Sequence, residues 1–180
     1  MAKNNMNILG ISGSLRSGST NAQVLLAVGR LLPASAQLTL FDGLDELPHF
    51  SPERDTDDVL PAVRALRQAI ERSQAVIICT PEYAFGIPGV LKNALDWCVS
   101  TVLFNQKPMA AISASPGHMG GERAMASLLP TLTALNTHIT NGCSLVISSI
   151  RNKMDASGQL IDPATERALQ QLVDELVAIA

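Results

Sequence analysis

Charge of either sign is scarce in this 180-residue chain, and its near balance excludes two kinds of protein. Lys and Arg number 13 against 16 Asp and Glu, so the formal net charge at pH 7 is −3. Binding to nucleic acid depends on a strongly basic surface that neutralises phosphates, so we expect no nucleic-acid partner. A disordered chain has few apolar residues and a high net charge, whereas 47% of these residues are hydrophobic. The composition therefore predicts a folded, globular protein.

Cysteine and long hydrophobic runs are also scarce. Cys79, Cys98 and Cys143 are far apart and form no Cys-x-x-Cys pair, so we interpret them as small buried apolar residues rather than as redox or metal sites. No run approaches the roughly 18 consecutive apolar residues of a membrane-spanning helix. The residues before Ile8 contain one lysine and no apolar stretch, unlike a secretory signal. From these features we expect a reduced, cytoplasmic protein without a membrane span.

Short apolar runs alternate with helical patterns along the chain, which is typical of an α/β domain. Strands are predicted at residues 7–11, 37–41, 75–79, 109–113 and 144–147, and helices at 21–32, 59–73, 88–100, 122–134 and 163–178. Strands that are separated by helices pair in parallel through right-handed crossovers. The sequence therefore predicts one domain over residues 1–180, an α/β three-layer sandwich with a five-stranded parallel sheet. The acidic residues 42–58, with Pro48 and Pro52, are predicted to form an irregular connection.

The loop after the first predicted strand, Gly10–Asn21 (GISGSLRSGSTN), combines glycines with five hydroxyl side chains and leads into a helix. Ligands of open parallel sheets bind outside the carboxyl ends of the strands, near the change in strand order. Hydroxyls, backbone N–H groups and the positive end of a helix dipole together favour a phosphate at this place. The alternative is a serine-rich turn in which Thr20 or Asn21 caps the helix.

Three well-known motifs are absent from this loop. A P-loop needs a lysine, which the loop lacks, and a G-x-S-x-G hydrolase elbow is broken at Ser14. The dinucleotide fingerprint G-x-G-x-x-G needs glycines where Ser12 and Leu15 stand. Asp42, at the end of the second predicted strand, lies 32 residues beyond Gly10, against about 20 for a ribose-binding acid. A loop of hydroxyls best suits a terminal monophosphate, such as that of FMN.

Two further loops follow predicted strands at the same edge of the sheet. The segment Thr80–Trp97 (TPEYAFGIPGVLKNALDW) is stiffened by prolines and carries Tyr83 and Phe85, two of six aromatic residues. An aromatic wall with backbone hydrogen-bonding groups suits a planar ring system, although aromatics at such a turn can equally fill the core. The glycines of Ser113–Gly121 (SASPGHMGG) let that segment pass close beneath a ligand. Its histidine has no evident set of partners for a metal ion, so we expect no metal site.

Together these three segments resemble the NADPH-dependent FMN reductase family of flavodoxin-like proteins, which includes chromate, quinone and azo reductases. The run from Pro81 to Trp97 is the most specific part, and the resemblance covers essentially the whole chain. It implies a group of residues that hold the FMN phosphate: Ser12, Ser14, Leu15, Arg16, Ser19 and Asn21. It also implies a group that lines the isoalloxazine ring: Pro81, Glu82, Tyr83, Ala84, Phe85, Gly86, Ser115, Pro116 and Gly117.

Some of these positions depart from the family pattern. Ala84 stands where the family usually has asparagine, which removes one side-chain hydrogen bond to the flavin. Phe85 and Gly86 also differ from the commonest residues and reshape the substrate pocket. Arg16 is a candidate for the extra phosphate of NADPH, a charge-assisted contact that suits a guanidinium group. It is equally a candidate partner of the FMN phosphate, or a solvated side chain.

The resemblance implies that NADPH or NADH gives a hydride to bound FMN, and that a quinone, azo, chromate or flavin acceptor then takes the electrons in a ping-pong reaction. The cofactor carries this chemistry, so we expect no catalytic acid, base or nucleophile. Because family members form dimers and tetramers, a homodimer or homotetramer is expected. The alternatives are a flavodoxin-type electron carrier and a flavin-free binding protein. Carriers tend to be strongly acidic, so the mild net charge favours the enzyme.

Overall fold

The computed structural model describes residues 5–56 and 58–180; residues 1–4, part of the segment expected not to be a secretory signal, lie outside it. The strands are β1 Met6–Ser12, β2 Ala36–Phe41, β3 Ala75–Thr80, β4 Met109–Ala114 and β5 Ser144–Ile147. The α-helices are α1 Thr20–Leu31, α2 Pro61–Glu71, α3 Gly89–Asp96, α4 Glu122–Ala134 and α5 Pro163–Ile179. Strands and helices therefore alternate as predicted.

The five strands form one parallel sheet in the order β2-β1-β3-β4-β5. The predicted fold class is confirmed, and this order is that of flavodoxin-like domains. From β1 the chain first adds β2 on one side and then β3 on the other, so the loops after β1 and β3 diverge. Ligands of such sheets bind in the crevice that this divergence opens.

The two faces of the sheet bury different residues, because successive side chains of a strand point to opposite sides. Ile8 and Ile77 pack in one cluster with residues of α1 and α5. Leu9 and Ile78 pack in the other cluster with residues of α2, α3 and α4. Every residue of β3 and β4 is buried, as expected of central strands covered on both faces. The result is a helix layer on each side of the sheet.

The three cysteines are free and buried. Burial raises the pKa of the Cys98 thiol to about 12, and burial also raises the pKa of the Cys79 thiol. These shifts favour the protonated thiols at neutral pH, and the burial of all three residues confirms the interpretation of the cysteines as small buried residues. Within the described ranges, every helix is too short or too polar to cross a membrane.

Several helix boundaries differ from the sequence pattern by one to four residues, and two of these differences have identifiable reasons. α2 begins at Pro61 rather than at Val59, because proline is well accommodated at the first helical position. α3 ends at Asp96 rather than near Ser100. There, Arg67 Nε donates a hydrogen bond to the Trp97 carbonyl at 3.0 Å, which satisfies one of the orphan carbonyls of the helix end.

The described residues of the acidic connection, 42–56 and 58, are irregular, as predicted, apart from two short 3₁₀ turns. The connection is fastened to α3, to Trp97 directly after that helix, and to α2. The Pro48 carbonyl accepts hydrogen bonds from Trp97 Nε1 at 2.8 Å and from Asn93 Nδ2 at 3.0 Å. Phe50 meets the Trp97 ring edge-on, with 5.2 Å between ring centroids, and Asp55 pairs with Arg67 at 2.7 Å. These contacts fix the path of the chain after β2.

Candidate functional site

A cavity of about 350 Å³ lies at the carboxyl ends of β1, β3 and β4. We call it the central cavity. Of the residues predicted for the cofactor site, those that line it are Ser14, Arg16, Ser19, Asn21, Pro81, Glu82, Tyr83 and Pro116. Ser12 and Leu15 line neighbouring cavities. The remaining predicted residues, Ala84, Phe85, Gly86, Ser115 and Gly117, lie on the adjoining loops.

The loop after β1 is held close to β3 by glycine. The Gly13 N–H donates a hydrogen bond to the Cys79 carbonyl at 2.8 Å. A Cβ atom at Gly13 would lie 2.5 Å from the Thr80 hydroxyl oxygen, so only glycine allows this approach. Gly18, with a φ of 65°, then turns the chain into α1. These two glycines shape the loop that the sequence predicts to bind phosphate.

Ser19, and not Thr20 or Asn21, caps α1. Its hydroxyl oxygen accepts a hydrogen bond from the Asn21 N–H at 3.2 Å, and α1 begins at the next residue. The alternative that named Thr20 or Asn21 as the cap was wrong by one or two positions, because the φ and ψ of Ser19 are still non-helical, at −56° and 129°. Ser19 can nevertheless donate its own hydroxyl proton to a ligand, since it accepts and does not donate in this contact.

Asn21 is fixed by a buried partner. The Cys79 thiol donates a hydrogen bond to Asn21 Oδ1 at 3.3 Å, and Asn21 is only 3% exposed. A protonated thiol can fill this role, and burial keeps Cys79 protonated by raising its pKa. With its oxygen engaged, Asn21 offers the amide N–H groups as its donors.

The loop after β3 forms a tight two-residue hairpin. Tyr83 and Gly86 exchange backbone hydrogen bonds of 2.9 and 3.0 Å. Ala84 and Phe85 between them both have positive φ, 49° and 64°, the conformation of a type I′ turn. Phe85 is 69% exposed. The guanidinium carbon of Arg123 lies over the Phe85 ring, 4.5 Å from the ring centroid. The alternative in which these aromatics fill the core is therefore wrong for Phe85.

Glu82 joins the loops after β3 and β4. Its backbone N–H donates to the Ser115 hydroxyl oxygen at 2.9 Å. Its carboxylate accepts hydrogen bonds from the N–H groups of Arg123 and Ala124, at 3.0 and 3.2 Å. Gly121, the cap residue of α4, has no side chain with which to cap the helix. The carboxylate of Glu82 thus caps α4 from another loop.

Gly120 and Gly121, two of the three glycines after β4, allow close packing of the backbone. Ser113 is buried, and its hydroxyl donates to the carbonyls of Gly120 and Gly121 at 3.2 and 2.8 Å. Gly120 has a φ of 64°, and a Cβ atom there would lie 2.8 Å from the Ser148 nitrogen. The segment is therefore folded tightly between β4 and the end of β5.

Sequence reasoning missed Arg151, which lines the central cavity from the short turn after β5. The sequence did contain a signal for Arg151, since a basic residue that follows the fifth parallel strand lies at the carboxyl ends of the strands, where the cavity is. In the described part of the chain, neither Arg151 nor Arg16 forms an ion pair. Two guanidinium groups without carboxylate partners at one cavity favour an anionic ligand.

The residues of the central cavity fit FMN. Hydroxyls, the Asn21 amide, the start of α1 and two guanidinium groups suit the oxygens of a phosphate. Pro81, Tyr83 and Pro116 supply an apolar and aromatic wall of the kind that lines sites for planar ligands. Among residues 5–56 and 58–180, no group of three or more His, Cys, Asp or Glu side chains is arranged for a metal ion.

Comparison with known proteins agrees with this geometry. The model of the family described as NADPH-dependent FMN reductase matches residues 6–152. An NAD(P)H-dependent FMN reductase of Pseudomonas aeruginosa is 37% identical over 171 residues, 94% of this chain and 92% of that protein. A quinone reductase of Escherichia coli is 31% identical over 177 residues, 96% of this chain and 93% of that protein.

A solved structure is also similar. FerB of Paracoccus denitrificans, a flavoenzyme NAD(P)H:(acceptor) oxidoreductase, superposes with a TM-score of 0.85 at 30% identity, with 96% of each chain covered. The match of the family model, the full-length relatives and the shared fold lead to one conclusion. The chain belongs to the NADPH-dependent FMN reductase family.

Proposed function

We propose that this chain is an FMN-dependent oxidoreductase that takes a hydride from NAD(P)H and delivers the electrons to a quinone or another small oxidised acceptor. The observation that carries the proposal is the central cavity, which combines phosphate-binding groups and an apolar wall at the change in strand order. The family to which the chain belongs uses FMN and NAD(P)H.

The residues of the chain position the reactants. The hydroxyls of Ser12, Ser14 and Ser19 and the Asn21 amide donate hydrogen bonds to the FMN phosphate, and Leu15 and Arg16 lie beside it. Bound FMN supplies the group that accepts a hydride from the nicotinamide and returns two electrons to the acceptor. Arg151 adds positive charge to the phosphate end of the cavity. We assign no catalytic acid, base or nucleophile.

The loops after β3 and β4 bind the ring. Pro81, Tyr83 and Pro116 contribute apolar surface, and the hairpin of Ala84 and Phe85 presents backbone groups. Asparagine is the usual family residue at Ala84, so here the backbone must provide the polar contact. The electron-carrier alternative has no comparable support, since the relatives are reductases of small molecules and the net charge of −3 is mild.

We further propose a cytoplasmic homodimer or homotetramer. Three buried free thiols suit a reducing compartment. Val99 and Val102, which follow α3, are 63% and 82% exposed and offer apolar surface for a second copy. We expect light scattering to give a multiple of the 19.1 kDa chain mass. Val102→Asp should shift the protein towards monomer, whereas Ile161→Asp, at a site that is 58% exposed, should not.

The experiment that tests the function is an anaerobic half-reaction. The purified protein is loaded with FMN and mixed rapidly with NADH or NADPH, and we expect the flavin absorbance to be lost. Mixing of the reduced protein with a quinone, an azo dye, chromate or free FMN should then restore it. The proposal is wrong if FMN is not taken up, or if neither nucleotide reduces the loaded protein.

A further inference from the structure

We propose that NADH binds with its adenosine in a second cavity beside β2, where Asp42 accepts hydrogen bonds from the ribose hydroxyls. This inference rests on the proposed function and adds to it the place and the identity of the co-substrate. The cavity, which we call the β2 cavity, has a volume of about 310 Å³ and lies between the loop after β1 and the segment that follows β2.

The walls of the β2 cavity suit a nucleoside. Leu40, Phe41 and Leu44 supply apolar surface, which a flat base requires. Asp42 and Asp45 line the same cavity and are exposed, and carboxylate oxygens accept hydrogen bonds from hydroxyl groups. The cavity thus combines one surface for a base with acceptors for a sugar.

A third cavity adjoins both the β2 cavity and the central cavity. It has a volume of about 320 Å³ and is lined mainly by apolar residues of the loop after β1 and of the start of α3. It shares Tyr83 and Arg16 with the central cavity, and it shares Leu15 and Arg16 with the β2 cavity. The three cavities therefore adjoin one another at Arg16, and the proposed path of the dinucleotide runs along them from the central cavity to Asp42.

The charged side chains along this path match the charged and polar parts of NADH, with an arginine at the pyrophosphate and an aspartate at the adenosine ribose. Arg16, whose guanidinium group is exposed and without an ion pair in the described part of the chain, lies where the three cavities meet. Because Arg151 also lines the central cavity and can serve the FMN phosphate, the guanidinium group of Arg16 suits the pyrophosphate that links the two nucleosides. The nicotinamide end then reaches the central cavity at Tyr83, and the adenosine end reaches Asp42.

The position of Asp42 is the one that dinucleotide-binding α/β folds use for the ribose. In those folds an acid near the end of the second strand binds the 2′-hydroxyl of NAD. The spacing of 32 residues from Gly10 hides this relation in the sequence, but the fold places Asp42 directly after β2 and opposite the loop after β1. Two carboxylates beside the ribose repel a 2′-phosphate, so the site favours NADH over NADPH.

The test measures how each donor binds to the FMN-loaded protein. Stopped-flow reduction gives the dissociation constant and limiting rate for NADH, for NADPH and for reduced nicotinamide mononucleotide, which lacks adenosine. For Asp42→Ala we expect the dissociation constant of NADH, relative to that of the mononucleotide, to rise about tenfold, the size of a hydrogen bond to a charged group. The preference for NADH over NADPH should fall. Glu46→Ala, an exposed acid of the same segment that does not line the cavity, is the control.

Each outcome is decisive. Three results would overturn the inference and leave the proposed function intact. In the first, Asp42→Ala changes the dissociation constants of NADH and of the mononucleotide equally; in the second, it changes neither. In the third, the unmodified protein binds NADPH at least as tightly as NADH. Failure of every dihydronicotinamide to reduce the loaded, unmodified protein would overturn the proposed function, and this inference with it.

Discussion

Asn21 illustrates how a single buried contact sets the chemistry that a side chain presents to a ligand. The Cys79 thiol occupies Asn21 Oδ1 at 3.3 Å, which leaves the amide N–H groups for an anion. A rotated amide would turn its oxygen towards the phosphate and repel it. Cys79 is therefore a positioning residue, even though it lines no part of the central cavity.

We predict that Cys79→Ala raises the dissociation constant of FMN about threefold to tenfold, because the loss of roughly one hydrogen bond frees the amide to rotate. Cys79→Ser keeps a hydroxyl donor at the same place and should bind FMN as the unmodified protein does. Fluorescence titration of FMN measures both. If Cys79 only stabilised the fold, both variants would lose FMN affinity in proportion to their loss of thermal stability. That result would contradict the prediction.

Ala84 carries a backbone conformation that its side chain disfavours. A φ of 49° costs a non-glycine residue on the order of 1 kcal/mol, and asparagine tolerates this region better than alanine. We predict that Ala84→Asn, which restores the usual family residue, raises the free energy of unfolding by about 0.5–1 kcal/mol. Denaturant unfolding measures the change. Ala156→Asn, in an exposed turn without positive φ, is the control, and an equal gain there would remove the argument from strain.

At the scale of elements, the site depends on a helix cap that is supplied across two loops. Glu82 binds the N–H groups at the start of α4 through its carboxylate and the Ser115 hydroxyl through its backbone. The separation of the two loops that flank the central cavity is thereby fixed. Loss of the cap would loosen α4 and widen that gap.

We predict that Glu82→Ala lowers the free energy of unfolding by about 1 kcal/mol, as the loss of a helix cap does, and also weakens FMN binding. Glu82→Gln retains a carbonyl oxygen as acceptor and should recover most of both losses. Thermal unfolding and FMN titration are the two measurements. Glu166→Ala, in the first turn of α5, should change stability slightly and leave FMN binding unchanged; a loss of binding there would show that general destabilisation explains the effect.

The elements themselves were largely predictable, whereas the contacts between them were not. The continuous apolar run of β3 reflects burial on both faces of the strand, and the alternation of polar and apolar residues in β2 reflects burial on one face. Both patterns can be read from the local sequence. Glu82 caps α4 at Arg123, 41 positions along the chain, and Cys79 contacts Asn21, 58 positions away. No local sequence pattern encodes contacts between residues so far apart. Arg151 reaches the central cavity, and Asp42 the β2 cavity, because all the strands are parallel and their carboxyl ends lie at one end of the sheet, even though β5 and β2 are its two opposite edge strands.

At the scale of the whole molecule, the core and the site are separate. Both core clusters lie along the sheet and its helices, while the central cavity is built from loops at one edge. The fold therefore does not need FMN, and bound FMN adds stability only in proportion to its affinity for the folded state. This separation makes thermal stability a direct measure of what the loops bind.

We predict that FMN at 100 times its dissociation constant stabilises the protein by about 2.7 kcal/mol, which raises the midpoint of thermal unfolding by roughly 5–11 °C for a chain of this size. Riboflavin, which has the ring but lacks the phosphate, should give a much smaller shift at the same concentration. The double variant Ser12→Ala, Ser14→Ala should lose most of the FMN shift and keep that of riboflavin, because only the phosphate contacts are removed. Equal shifts by the two compounds in the unmodified protein would mean that the loop after β1 does not hold the phosphate, and the assignment of the central cavity to FMN would then fail.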